Sequence, residues 1–138
     1  MISKPRYLLD TNICITVRRE RPQTVLDRLK VLPPGSTAIS VITYGALVYG
    51  VRKSPDPDKA MMVLEELTEL IPVVPMANDV AEAYGRIRSD LAARGSLIGN
   101  DDLWIAAHAV SLNLTLVTNT EKAFQRVSGL TLENWAKG

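Results

Sequence analysis

The chain has 138 residues, of which 46% are hydrophobic and 22% charged, and its formal net charge is +1. These values are typical of one soluble globular domain, expected to cover residues 1–138, and they exclude strong overall attraction to nucleic acid or to an anionic membrane. No apolar run reaches the ~18–20 residues that a membrane span requires. A lone cysteine, Cys14, and an N-terminus unlike a signal peptide lead us to expect a cytoplasmic protein.

The spacing of apolar residues predicts strands and helices in alternation. In chain order the predicted elements are a strand at 6–9, helices at 12–19 and 22–32, a strand at 37–39, helices at 41–52 and 58–70, a strand at 71–75, helices at 78–94 and 100–112, a strand at 114–118, a helix at 121–125 and a strand at 130–132. This order indicates an α/β fold, in which helices cover both faces of a short, mostly parallel central sheet of four to five strands.

Several helix starts are predicted from side chains that can accept hydrogen bonds from first-turn amides. Ser40 is expected to cap the helix that follows the second strand, Asp58 to open the next helix, and Asn78 or Asp79 to cap the long one. Prolines stand on both sides of Val73-Val74. Because proline cannot donate to a sheet ladder, this strand is predicted to lie at an edge.

The first strand ends at a carboxylate. Residues 7–12 read Tyr-Leu-Leu-Asp-Thr-Asn, so Asp10 follows the apolar strand residues directly. In an open parallel sheet, ligands bind outside the carboxyl ends of the strands. Thr11 and Asn12 are expected to cap the next helix and to support a site at Asp10, although an aspartate in this position also serves as a helix cap by itself.

A second acidic pair begins a later helix. Asp101 and Asp102 follow Gly99, and the helical dipole alone would favour acids in this first turn. Two adjacent aspartates exceed what one cap needs, so we expect one of them to face a functional site. A third polar segment, Thr118-Asn119-Thr120, ends the strongest predicted strand.

These three segments are predicted to meet at one edge of the sheet. Two carboxylates about 4 Å apart repel by about 4 kcal/mol at an effective dielectric near 20, so such a pair requires a cation or a shared proton. Carboxylate oxygens suit Mg²⁺ or Mn²⁺. Metal-assisted hydrolysis of a phosphodiester is the chemistry that this arrangement predicts.

The chain resembles the PIN-domain ribonucleases, and within them the VapC toxins of bacterial toxin–antitoxin pairs. The resemblance extends over nearly the whole chain in ordered segments, which are Leu8–Ile15, Ile39–Thr43 with Tyr49-Gly50, Ile98-Gly99, Asp102–Ala109, Leu116–Asn119, Val127–Leu130 and Glu133–Trp135. It implies a PIN fold, Mg²⁺-dependent cleavage of RNA, often tRNA, inhibition by a VapB antitoxin, and a homodimer.

Matched to the family's pattern, the first acid is Asp10 and the third is Asp102, with Asp101 one position early. The family's second acid, a glutamate, is replaced by Ala46. Its fourth acid, before a phenylalanine, is replaced by Ala123. Ala46 would result either from a laboratory substitution that silences a toxic nuclease or from natural decay of a toxin.

Several neighbours complete this interpretation of the site. Thr118 and Asn119 remain as polar residues at its rim, Ser40 is expected to support it, and Glu121 is a candidate substitute for the fourth acid. An impaired VapC-type endoribonuclease is therefore the leading hypothesis. A catalytically silent PIN-fold module that binds antitoxin or RNA is the alternative. A phosphate-accepting receiver domain is disfavoured, because it normally has paired acids after strand one and another after strand three.

Other conspicuous residues receive structural interpretations. Cys14 is predicted in the core, and His108 as a satisfied or exposed helical residue, since one histidine makes a His-based zinc site improbable. The basic clusters at 18–30 and 86–94 are interpreted as solvated helix faces. An apolar partner surface is predicted on the helices at 22–32 and 41–53, from Val25, Leu26, Leu29, Val48 and Val51.

Overall fold

The computed structural model describes residues 4–18 and 23–137. The strands are β1 (Tyr7–Leu9), β2 (Thr37–Ser40), β3 (Val73–Val74), β4 (Thr115–Val117) and β5 (Leu132–Glu133). The helices are α1 (Thr11–Arg18), α2 (Gln23–Val31), α3 (Val41–Arg52), α4 (Pro57–Leu70), α5 (Asn78–Ala93), α6 (Asn100–Ser111) and α7 (Glu121–Phe124), and a 3₁₀ turn follows at Trp135–Lys137.

The five strands form one sheet in the order β3-β2-β1-β4-β5, and every neighbouring pair is parallel. The central strand β1 pairs with β2 on one side and with β4 on the other, so that Leu9 lies opposite both Ile39 and Val117. The predicted α/β class with a parallel sheet is confirmed. The proline-flanked β3 is an edge strand, as predicted.

The sheet separates two apolar cores because successive strand residues face opposite sides. Leu8 and Leu116 pack against α5 and α6, whereas Leu9 and Val117 pack with α1–α4. Cys14 belongs to the second core, as predicted, and burial raises the pKa of its thiol. It is therefore an inert core residue. Within the described residues, no helix is both long and apolar enough to cross a membrane.

Two predicted helix starts are wrong in detail. Asp58 lies in the first turn of α4, but the helix begins one residue earlier than predicted, at Pro57. It is capped by Asp56, whose Oδ1 accepts from the amide of Lys59 at 3.2 Å. The residue that caps α5 is Ala77, which makes no side-chain hydrogen bond there. Asn78 and the adjacent aspartate lie inside the first turn, where an acid is favoured by the dipole without capping. The predicted start of α2 at residue 22 lies outside the described residues.

The strand boundaries also shift. The last strand spans residues 132–133 rather than 130–132, because it pairs only with Leu116 and Val117 of β4. The predicted partner surface is only partly exposed. Val25 and Val51 are buried in the core, while Leu26, Leu29 and Val48 are half-buried.

Candidate active site at the carboxyl edge of the sheet

Asp10 joins β1 to α1 and is itself the helix cap. Its backbone amide continues the sheet by donating to the carbonyl of Val117 at 3.0 Å. Its Oδ1 accepts from the amide of Ile13 at 2.9 Å, and its carbonyl accepts from Cys14. The expectation that Thr11 and Asn12 cap this helix is therefore wrong, since Thr11 is the first helical residue and Asn12 lies exposed in the first turn.

Capping uses only one oxygen of Asp10. The Oγ1 of Thr118, just beyond β4, donates to the other, Oδ2, at 2.5 Å. Thr118 is fully buried, and its hydroxyl also contacts Thr120 through the backbone amide and Oγ1 of that residue, each at 2.9 Å. The structure thus brings together Asp10 and Thr118, whose side chains follow adjacent strands. Thr118 lies under the site rather than at its rim, where Asn119 is exposed.

Asp102 reaches the same region from α6. The charge of Asp102 acts on Asp10, so the two carboxyl groups lie in the same region of this edge. Asp102 is half-buried in the first turn of α6, and its neighbour Asp101 is exposed. The helix cap before them is Gly99, which has no side chain to offer.

The two carboxyl groups are electrostatically coupled. Burial raises the pKa of Asp10, and the charge of Asp102 raises it further, although hydrogen bonds from Thr118 and Ile13 oppose the shift. Burial and the charge of Asp101 raise the pKa of Asp102. Ionising both groups is therefore costly unless a positive charge lies beside them.

The α3 helix contributes a hydroxyl and a methyl group to this region. The buried Thr43 has its Oγ1 3.4 Å from that of Thr11, next to Asp10. Ala46 is one turn further along the same face of α3 and is exposed. Among residues 4–18 and 23–137, no group of three or more His, Cys, Asp or Glu side chains is arranged to hold a metal. The site therefore has two carboxylates and space at position 46.

Position 123 lies on a different part of the rim. Ala123 lines a shallow depression formed by residues 119–123 and Arg126. The carboxylate of Glu121 accepts from Nδ2 of Asn134 at 3.2 Å. Glu121 would have to leave that contact before it could substitute for an acid at 123.

Ser40 holds together two of the elements that carry the site, α3 and α6. It is fully buried at the end of β2, and its Oγ accepts from the amide of Ile42 at 3.1 Å, which confirms the predicted cap. The same oxygen lies 2.8 Å from Nδ1 of His108, whose Nε2 lies 3.2 Å from the carbonyl of Pro75. Ser40 thereby links the end of β2 and the start of α3 to the last turn of α6. His108 is buried and satisfied, as one of the two predicted alternatives requires.

Comparisons with known proteins show the family to which the chain belongs. Residues 7–130 match the family model of the PIN domain. The ribonuclease VapC1 of Haemophilus influenzae is 38% identical over 132 residues, which cover 95% of this chain and 98% of that protein. The chain belongs to the VapC group of PIN-domain proteins.

Two further relatives of this VapC-family chain are informative. The tRNA(fMet)-specific endonuclease VapC of Shigella flexneri is 38% identical over 131 residues, covering 95% of this chain and 98% of that one. The solved structure of VapBC2 from Rickettsia felis bound to a DNA fragment from their promoter superposes with a TM-score of 0.87. It shares 38% identity, and the alignment covers 94% of this chain and 98% of that chain.

Sequence reasoning missed several residues around this VapC-type site. Thr43 was not singled out as a site residue, and Thr120 was named only as part of the polar segment after β4, because a threonine in a helix or loop carries no local sign of a partner elsewhere in the chain. Tyr84 stacks on Trp104 with ring centres 3.8 Å apart, and this contact was missed too. The two residues are twenty positions apart in the sequence, and their rings meet only because α5 packs against α6.

We expect the buried His108 to make this VapC-family chain less stable in mild acid. Burial lowers the pKa of His108, although the Pro75 carbonyl and the charge of Asp79 oppose the shift. The folded state therefore binds fewer protons than the unfolded chain below the ordinary histidine pKa of about 6.5. The free energy of unfolding should fall, by up to about 1.4 kcal/mol per pH unit, until His108 is protonated in the folded state.

Urea denaturation between about pH 7.5 and 5 measures this slope. His108→Gln, which cannot titrate, should flatten it. The raised pKa values of Asp10 and Asp102 act in the opposite direction, since protonation of those groups stabilises the folded state. A slope that is identical in the His108→Gln variant would contradict the assignment.

Proposed function

We propose that this chain is a VapC-type toxin of the cytoplasm, a metal-dependent endoribonuclease that a VapB antitoxin neutralises, and that Ala46 and Ala123 impair its activity. The observation that carries the proposal is the convergence of Asp10, Thr118 and Asp102 at one edge of a parallel sheet. Relatives named ribonuclease and tRNA endonuclease over almost their full length support RNA as the substrate class, with tRNA as the first candidate.

The residues at this edge fit a divalent cation, Mg²⁺ or Mn²⁺. Two carboxylates whose pKa values are raised by burial and by neighbouring charge would be stabilised by a cation between them. Mg²⁺ needs only one or two carboxylates and keeps several waters. Asp10 and Asp102 would hold it, and when bound it would supply a nucleophilic water and stabilise the leaving oxygen.

The remaining side chains orient the acids. Thr118 and the Ile13 amide hold the two oxygens of Asp10, so that the carboxylate cannot rotate freely. Thr43, through Thr11, fixes the start of α3 beside the same carboxylate. A glutamate at position 46 would add a third carboxylate from the exposed face of α3.

We expect weak Mg²⁺ binding by the chain as it stands. Two acids of the family pattern are missing, and each lost partner typically costs about 10–100-fold in metal affinity or activity. Isothermal calorimetry should therefore give a weak dissociation constant for this chain and tighter binding for Ala46→Glu. Asp102→Asn should abolish the heat of binding. Equally tight binding by the chain and by its Ala46→Glu variant would show that position 46 lies outside the metal site.

An apolar groove supports the proposed antitoxin partner. It lies between α1, α2 and the end of α4, with a volume of about 450 Å³, and Val17, Leu29, Leu32 and Ile71 are among its lining residues. Leu70, also in the lining, is 75% exposed. Because residues 33–35 and 71–72 precede β2 and β3, and Thr37 is the first residue of β2, the groove lies at the amino ends of the strands, opposite the acids. We infer that the groove takes an apolar segment of VapB, since solved relatives are VapBC complexes.

Expression in bacteria tests the proposal. Ala46→Glu without antitoxin should arrest growth, and co-expression of the cognate VapB should relieve the arrest and yield a co-purifying complex. The chain as it stands should bind the same VapB, because apolar docking does not need the missing acids. The homodimer that the resemblance implies is checked by light scattering on the purified chain.

The second candidate is a silent PIN-fold binding module, which the two alanines favour. If Ala46→Glu yields a folded protein that does not affect growth or cut total RNA, this candidate replaces the nuclease. If neither protein co-purifies with VapB, the partner part of the proposal fails.

A further inference from the structure

A ring stack joins α5 to α6 beside the acidic edge. Tyr84 of α5 stacks on Trp104 of α6 with an interplanar angle of 14°, and its hydroxyl donates to Oδ1 of Asn100 at 2.5 Å. Trp104 is half-buried against the core. The Trp104 ring and the first residue of α6 therefore both hold the phenol of Tyr84 in place.

Arg88 is held by the same phenol. Its Nη1 donates to the Tyr84 hydroxyl at 2.7 Å, and its guanidinium carbon lies 5.9 Å from the ring centre. Because α5 and α6 form a hairpin across a short loop, Arg88 lies one turn nearer to the loop than Tyr84. It therefore stands level with the start of α6, the end that carries Asp101 and Asp102.

The guanidinium of Arg88 has donors to spare. An arginine has five N–H donors, and the structure assigns one of those of Arg88 to Tyr84. In residues 4–18 and 23–137, the ion pairs within 4.0 Å are Arg28–Glu133 and Arg94–Asp90, so no carboxylate neutralises Arg88. The side chain is exposed but anchored, which lowers the entropy cost of binding a ligand.

We propose that Arg88 is a phosphate-binding residue that holds the RNA backbone beside the cleaved bond. The inference deepens the proposed nuclease function and rests on it. A guanidinium binds two phosphate oxygens at once, and a cation at this position offsets the repulsion between RNA and the acids. Asn100 and Asp102 lie on opposite sides of α6, about one helix diameter, or ~10 Å, apart. Arg88 therefore meets a phosphate flanking the scissile one.

Arg86 provides the matched control. It is exposed on the same helix only two residues away, but it lines a shallow depression with Ile87, Asp90 and Ser128 on another face. Exchanging either arginine for glutamine removes one charge from α5. The two variants lose the same charge at different positions, and only Arg88→Gln also loses the hydrogen bond to Tyr84.

The test measures binding of a labelled single-stranded RNA of about 12 nucleotides by fluorescence anisotropy in Mg²⁺ over a range of salt concentrations. Arg88→Gln should weaken binding about five- to tenfold and reduce the slope of log K against log salt by about 0.7, the value for one phosphate contact on a single strand. Arg86→Gln should change neither. Arg88→Lys should keep the slope and lose part of the affinity, because lysine is a point charge. Melting temperatures of all three should match that of the parent.

Equal losses in Arg88→Gln and Arg86→Gln, or an unchanged salt slope in Arg88→Gln, would overturn the assignment of Arg88. If the Ala46→Glu variant nevertheless cuts RNA, the proposed nuclease function holds even though the assignment of Arg88 fails. A parent chain that binds no RNA, together with an inert Ala46→Glu variant, would overturn both.

Discussion

Replacing Ala46 with glutamate is expected to raise the rate of RNA cleavage in Mg²⁺ by at least 10–100-fold. Position 46 follows Thr43 by one turn of α3, and Thr43 contacts the residue next to Asp10. A carboxylate added there would join the two that the site already has. The measurement is cleavage of labelled tRNA by the purified proteins, with EDTA as the metal-free control.

Position 123 supplies the matched comparison. Ala123→Glu also adds one carboxylate at the rim, but hydroxyl and amide groups already lie near it at Asn119 and Thr120. We therefore expect a smaller gain than from Ala46→Glu. Adding Asp10→Asn to Ala46→Glu should return cleavage to background, because the amide removes the charge that would hold the metal. A larger gain from position 123 than from 46 would reverse this ranking.

Replacing Asp10 with asparagine is expected to preserve or raise stability while it abolishes cleavage, whereas replacing it with alanine should lower stability. Asp10→Ala removes both the acceptor for the Ile13 amide and the partner of the buried Thr118 hydroxyl, so it should lower the free energy of unfolding by about 2–4 kcal/mol. Asp10→Asn keeps the capping oxygen and can donate to Thr118. It also removes a buried charge, so its stability at about pH 7.5 should equal or exceed that of the parent.

The advantage of Asp10→Asn should shrink in acid. Because the pKa of Asp10 is raised in the folded state from its ordinary 3.8, the parent gains stability as the pH falls through the folded value toward the unfolded one. Urea denaturation in EDTA measures both effects. Asp101→Asn, a change at an exposed acid, should stay within about 0.5 kcal/mol of the parent. An Asn variant as unstable as the Ala variant would show that the charge itself holds the fold together.

The order of elements was predictable because apolar spacing differs between strands and helices. The prediction succeeds at α3 because its apolar pattern is long, and at β1 and β4 because short strand-forming segments end at a polar residue. Cap residues were less predictable, since several polar residues stand together around the starts of α1, α4 and α5 and only the backbone path decides which residue caps each helix. At α4 the cap is Asp56, because Pro57 after it supplies the first helical residue.

The acids of the site were predictable because Asp10 stands where a strand ends and Asp102 where a helix begins. The role of Asp10 as a helix cap was weighed as an alternative to a site residue, but the structure gives its two oxygens separate partners. The Tyr84–Trp104 stack was not predictable. Each residue in it fits an ordinary helix face, and their meeting depends on how α5 and α6 pack.

The sheet topology also determines when the site comes into existence. The central strand β1 leaves the ribosome before its partner β4, and 108 positions separate Asp10 from Thr118. Contacts between such distant residues form late, because the intervening chain must be closed first. A nascent or truncated chain that stops before β4 has Asp10 without its partner and lacks a complete edge. Whatever this site does, it can do only after the chain has been synthesised as far as Thr118 and β4 has paired with β1.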